Sequence, residues 1–238
     1  MSSGIVAFVF ARGGSKGLPR KNLLPLAGKP LIVHSIDIAL ALSRVRKVVV
    51  STDDPEIAEV SRKAGAEVPF MRPAELATDT ASEWLAWRHA INTLRDKGEK
   101  FDIFLSLPAT APLRNLADVN CCLDALQNTS CDAVITVRDA ERSPYFNMVR
   151  QNSDSFVQLA IEGRFHRRQD APELYDMATV AYVVHTEFIL KADRIFDGKV
   201  RAVKIPRERA LDIDTGMDML IGEALIGKVS SEGDAFVL

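Results

Sequence analysis

Short runs rich in Val, Ile and Phe alternate along the chain with amphipathic stretches of helical period, the pattern of a mainly parallel β-sheet covered by helices on both faces. The apolar runs predict strands over residues 5–10, 47–51, 67–71, 101–107, 133–137, 180–185 and 200–205. Helices are predicted over 31–43, 55–64, 82–97, 115–128 and 218–226. Trp84, Trp87, Ile91 and Leu94 recur at helical spacing and read as a core-facing stripe, not as a platform for stacking bases. The rhythm fails over 138–169, which is polar, carries only short candidate strands at 147–150 and 156–159, and reads as an excursion from the sheet. That is where a partner subunit or second substrate is expected. With 238 residues and no internal repeat, the pattern fits a single domain over 1–238 that carries the excursion.

Charge narrows the classes. Thirty Lys and Arg against 32 Asp and Glu leave a net charge of −2, which argues against a nucleic-acid binder with an extended basic face. No segment has the layout of a secretory signal, and no apolar stretch is long enough to span a bilayer. The expectation is a cytoplasmic protein with no membrane association. Cys121, Cys122 and Cys131 are odd in number and form no C-x-x-C pair, so neither a disulfide framework nor a zinc site is expected. Reduced thiols in or near a helix are.

The candidate chemistry begins where the first strand ends. Ala-Arg-Gly-Gly-Ser-Lys-Gly-Leu-Pro-Arg-Lys-Asn, residues 11–22, follows it directly. Gly13, Gly14 and Gly17 let the backbone bring N–H groups close to a ligand, and Arg12, Lys16, Arg20 and Lys21 supply four cations around it. This is neither the Walker spacing nor the G-x-G-x-x-G fingerprint. It still has the order a phosphate site needs: buried strand, glycines, cations, helix signal. Further candidates follow later strands, where ligands bind in open α/β sheets: Thr52-Asp53-Asp54, Arg72, and Thr110 to Arg114. Taken alone, Asp53-Asp54-Pro55 is a helix start and Arg72-Pro73 an ordinary turn. Near the end stands Leu211-Asp212-Ile213-Asp214-Thr215. If extended, it turns Asp212 and Asp214 to one side, as Mg²⁺ prefers; alternatively, Asp214 or Thr215 caps the last helix.

These motifs, with Ser-Thr-Asp-Asp-Pro-Glu-Ile, Arg-Pro-Ala-Glu-Leu, Thr-Ala-Pro-Leu-Arg and Arg-Arg-Gln-Asp-Ala-Pro in order between the first and last, resemble the N-acylneuraminate cytidylyltransferase (CMP-sialic acid synthetase) family over nearly the whole chain. The resemblance implies a Rossmann-like nucleotidyltransferase sheet with CTP over the carboxyl ends of its strands. It implies attack of the anomeric hydroxyl of a nonulosonic (2-keto-3-deoxy) sugar acid on the α-phosphate, giving CMP-sugar and pyrophosphate. By similarity, Arg12, Gly13, Gly14, Ser15, Lys16 and Asn22, with Arg72 and Ser82, contact the nucleotide. Arg12, Lys21 and Asp214 serve the chemistry, and Asp212 and Asp214 hold Mg²⁺.

On the sugar side the resemblance puts Arg168, Tyr182 and Phe196 near the acceptor, with Arg168 suited to a bidentate pair with its carboxylate. Two departures bear on which sugar. The family's Gln-x-Thr-Ser-Pro-Leu-Arg reads Pro108-Ala109-Thr110-Ala111-Pro112-Leu113-Arg114 here, and its Asn-Gly pair reads Ala178-Thr179. Pro108 cannot make an amide hydrogen bond to an acyl-amino group, so the expectation shifts from N-acetylneuraminate to a legionaminic, pseudaminic or deaminated relative. Members of the family are generally homodimers in which an excursion like 138–169 completes the neighbour's sugar pocket. The alternatives are the same transfer to a Kdo-type or other sugar acceptor, and a non-catalytic nucleotide-sugar binding protein. Intact Arg12, Lys21, Asp212 and Asp214 argue against the last.

Overall fold

Alternation in the first strand divides the molecule into two layers of core. In this computed structural model, which describes residues 4–228 and 235–238, strand β1 (Ile5–Phe10) turns Ile5, Ala7 and Val9 to one face and Val6 and Phe8 to the other. The first face packs against helices α1 (Leu31–Ala41), α2 (Pro55–Lys63) and α4 (Leu116–Asn128). The second packs against α3 (Glu83–Asp96) and α5 (Thr186–Lys191) through Trp84, Trp87, Ile91, Leu94 and Ile189. Helix α6 (Gly216–Leu225) covers a small third cluster around Leu26, Leu31 and Ile213. The tryptophan stripe is core, as its spacing predicts.

The remaining strands are β2 (Pro25–Leu26), β3 (Lys29–Pro30), β4 (Val45–Ser51), β5 (Ile103–Ser106), β6 (Ala133–Asp139), β7 (Val149–Gln151), β8 (Val157–Leu159), β9 (Tyr175–His185), β10 (Val200–Lys204) and β11 (Phe236–Val237). The central sheet runs β11-β10-β6-β9-β5-β1-β4. Five of its strands point one way, while β9 runs antiparallel to both β5 and β6, and β11 antiparallel to β10. The strand expected over 67–71 is reduced to a single bridge between Glu67 and Val49, because the chain turns at Phe70 toward Arg72 instead of continuing along β4.

Reversal of β9 matters for function. It brings the amino-terminal half of β9, not its carboxyl end, to the edge where the parallel strands finish. There the register slips: Ile135 pairs with Tyr182 but Thr136 pairs with Ala178. Buried Thr136 holds this bulge, its Oγ1 donating to the Ala178 carbonyl at 2.7 Å and accepting from the Val180 and Ala181 amides at 3.2 and 3.3 Å. The bulge re-aims Thr179, which is what such an insertion does beside a site.

The 210–215 segment is anchored from below. Arg209 and Asp118, 1 % and 0 % exposed, form a bidentate ion pair with contacts of 2.9–3.1 Å. Removing one partner of such a buried pair costs about 3–5 kcal/mol. The Ile213 amide donates to the Thr110 carbonyl at 2.8 Å, tying the segment to the loop after β5. Thr215, not Asp214, caps α6: its Oγ1 and the Asp218 carboxylate form a reciprocal capping box. Asp218 also accepts from the Asp214 amide at 3.1 Å, leaving the Asp214 side chain for other work.

Candidate active site

Where β1, β4 and β5 end, a cavity of about 600 Å³ opens between the 11–22 loop, the 72–83 segment and the 214–215 turn. The loop's shape follows from local contacts. Gly13 passes so close to Asp54 that a Cβ would lie 2.7 Å from its Oδ2, and its amide donates to Asp53 Oδ1 at 3.0 Å. A Cβ on Gly17 would lie 2.9 Å from the Asp214 carbonyl oxygen. Glycine is required at both points, and the loop is thereby closed against the far end of the chain. Buried Asn22 donates from Nδ2 to the Arg12 carbonyl at 3.1 Å, and so sets where Arg12 emerges.

Arg12, Ser15, Lys16, Lys21, Asn22, Arg72, Ser82 and Asp214 all line this cavity, whereas Gly13 and Gly14 are not among its lining residues. Lys21 is mostly buried and its Nζ sits 2.7 Å from Asp214 Oδ1. Arg12 and Lys16 share the carboxylate of Asp79. Arg20 turns away to Asp54 and Glu56. Arg72 is buried at the end of β4, donating from Nε to Ser51 Oγ at 3.1 Å with its guanidinium 5.4 Å from the Phe10 ring centre. Burial lowers its pKa to about 10, so the cation persists at neutral pH.

Asp212 lies one step along, in the wall of an adjoining cavity of about 590 Å³ with Met177, Ala178, Thr179, Arg138 and Arg207. Burial, with repulsion from Asp214, pushes its pKa up. The hydroxyls of Thr110 and Thr179 lie alongside and draw it partly back. Even so, buried Asp212 Oδ1 has no hydrogen-bond partner of acceptable geometry, nor has Thr179 Oγ1. An orphaned carboxylate oxygen beside a second carboxylate suits a hard cation that takes its other ligands from phosphate and water. Among the described residues no group of three or more potential metal ligands is found.

Tyr182 sits in β9 with its ring centre 5.5 Å from that of Trp87 and its pKa pushed up to about 12 by burial. Arg168 stands apart, in a single 3₁₀ turn beside Arg142 and Leu174 within the excursion. Phe196 precedes β10 and therefore lies at the amino-terminal edge of the sheet, opposite the cavity, 59 % exposed. Within one chain neither lines the cavity of Arg12 and Lys21.

The sequence reading missed Asp79 and Glu83. Both line the cavity. Desolvation by its surroundings raises the pKa of Glu83 against the pull of Trp87 and Arg72. Glu83 opens α3 and Asp79 stands three residues before its N-cap, so along the sequence both resemble ordinary helix-start acids, and that resemblance conceals them.

Comparison with known proteins gives concordant results. The cytidylyltransferase family model matches residues 6–176. A CMP-N,N'-diacetyllegionaminic acid synthase of Campylobacter jejuni is 34 % identical over 93 % of this chain and 94 % of its own length. A pseudaminic acid cytidylyltransferase of Campylobacter jejuni is likewise 34 % identical, over 93 % of this chain and 95 % of its own. The fold is shared with a CMP:2-keto-3-deoxy-manno-octonic acid synthetase solved with CTP, at a TM-score of 0.69 and 19 % identity, covering 95 % of this chain and 99 % of that one. The chain belongs to the cytidylyltransferase family.

Proposed function

We propose that this enzyme transfers CMP from CTP to the anomeric hydroxyl of a nonulosonic sugar acid, releasing pyrophosphate. The observation that carries the reading is the convergence of Arg12, Lys16, Lys21 and Asp214 on one cavity at the carboxyl edge of the sheet. The activities named for the Campylobacter relatives support it. Arg12 and Lys16 hold the outer phosphates, and buried Arg72 with Ser82 fixes the nucleotide. The anomeric oxygen forms a bond to the α-phosphorus as the bond to the α,β-bridging oxygen breaks, and Lys21 stabilises the charge that develops there. Asp212 and Asp214 would hold Mg²⁺, which when bound neutralises phosphate charge and lowers the pKa of the attacking hydroxyl.

The departures from the family pattern bear on the acceptor. Proline at 108 has no N–H, and its carbonyl is taken from beneath by Ser35 and Arg114. Position 108 therefore offers an acyl-amino group no hydrogen bond, a departure from the family pattern; it is the activities named for the Campylobacter relatives that favour a legionaminic or pseudaminic acceptor over N-acetylneuraminate. Pyrophosphate release tests both parts: CTP and Mg²⁺ with a panel of nonulosonic acids is expected to give turnover, with UTP, ATP and GTP at least about tenfold slower. Equal turnover with UTP, or turnover with an eight-carbon acid alone, would count against it.

A cytoplasmic homodimer completes the proposal. Among the described residues no helix is long and apolar enough to cross a membrane. The β7–β8 hairpin of the excursion leaves Val149, Phe156 and Val157 61–72 % exposed, an apolar patch of the kind a partner covers. Light scattering at micromolar concentration is expected to give twice the chain mass, shifting toward the monomer for Phe156→Lys. A monomeric wild type removes the dimer.

A further inference from the structure

The two cations best placed for the outer phosphates are already occupied by a carboxylate. Arg12 Nη1 lies 2.6 Å from Asp79 Oδ1, and Lys16 pairs with the other oxygen, Oδ2. One carboxylate thus spans two cations, as a phosphate group does. All three side chains line the same cavity. Asp79 stands three residues before Ser82, the N-cap of α3, too far out to serve that helix start. Its placement is explained by its partners across the cavity. Side-chain exposures of 35 % for Arg12 and 37 % for Asp79 make these pairs individually weak, and therefore displaceable by a ligand of higher charge.

We propose that Asp79 is an internal competitor for polyphosphate: it holds the Arg12–Lys16 clamp in place when no ligand is bound, yields it to the triphosphate, and recaptures it as pyrophosphate leaves. Asp79 is then a positioning residue, acting on the reaction through Arg12 and Lys16. It sets two quantities in opposite directions. By keeping the two long side chains oriented across the cavity it reduces what binding must order. By occupying them it lowers apparent affinity by the fraction of time it holds them. Pyrophosphate, bound through the outer phosphate contacts alone, feels this competition most.

The inference rests on the reading of the cavity as a polyphosphate site, and calorimetry with CTP and with inorganic pyrophosphate separates the two. For Asp79→Asn, pyrophosphate is expected to bind about tenfold more tightly, corresponding to a carboxylate that holds the clamp about nine-tenths of the time. CTP should tighten by less, the KM for the sugar should stay put, and kcat should fall as pyrophosphate lingers. Asp79→Glu, which keeps the competing charge, should return affinity toward wild type. Asp79→Ser with a thermal melt guards against a folding defect in the first variant. Unchanged or weaker pyrophosphate binding by folded Asp79→Asn and Asp79→Ser overturns the role of Asp79 while leaving the polyphosphate site standing. A wild-type protein that binds neither CTP nor pyrophosphate overturns both.

Discussion

Replacing Lys21 with alanine is expected to lower kcat by about 10²–10³, the usual effect of removing one group aimed at developing charge, while CTP binding weakens by less than about tenfold. The asymmetry follows from position. Nζ is 2.7 Å from Asp214 Oδ1 and its side chain is 13 % exposed, so the cation acts where water screens it little. Ground-state binding is shared with Arg12, Lys16 and Arg72 on other walls of the cavity, so losing one contact leaves most of the affinity. Charge on the α-phosphorus and its leaving oxygen rises only during transfer, and Lys21 has the most to contribute then. Lys21→Arg keeps the charge but exchanges a compact ammonium for a planar fork, and should recover only part of the rate. Steady-state rates with direct CTP binding check the split. Should kcat and CTP affinity both stay near wild type, Lys21 is a surface base paired with Asp214.

Much of this was legible in the sequence because periodicity reports burial. The 5–10 run, the α3 stripe and the helix start at Asp54-Pro55 all follow local rules, and the structure reproduces them within a residue or two. Periodicity does not report direction. The apolar run at 180–185 looks the same whether β9 runs up or down, and only its place between β5 and β6 reveals the reversal. The same gap hid the bulge at Thr179, which depends on a Thr136 hydroxyl 43 residues away in the chain. The 11–22 loop was visible as a candidate site because glycines and cations are clustered within twelve residues. Its counter-charges were not, because Asp79 and Glu83 arrive from another segment through tertiary packing, and locally they resemble helix-start acids. Arg168 and Phe196, taken over from family resemblance, lie away from the cavity of Arg12 and Lys21 in their own chain, so their relation to the sugar passes to the dimer proposal.

The carboxylate pair gives the other large effect. Asp212→Asn and Asp214→Asn are each expected to reduce activity steeply and to recover only partly with excess Mg²⁺, since an amide keeps the shape but removes a charged oxygen ligand. Stability should move little, for reasons that differ between the sites. At 212 the fold already disfavours the charged form: burial and Asp214 raise the pKa, so a neutral side chain relieves a cost. At 214 the capping box of α6 belongs to Thr215 and Asp218 and survives the change, and only the solvent-exposed end of the Lys21 pair is lost. A purely structural pair predicts the reverse balance, with altered melting and wild-type metal dependence. Rate against Mg²⁺ concentration, measured beside thermal melts for both variants, distinguishes them. Wild-type metal dependence in both would show that the metal is recruited through the phosphates alone or by another acid, such as Asp53, which already accepts the Gly13 amide at 3.0 Å and would have to release the loop to do so.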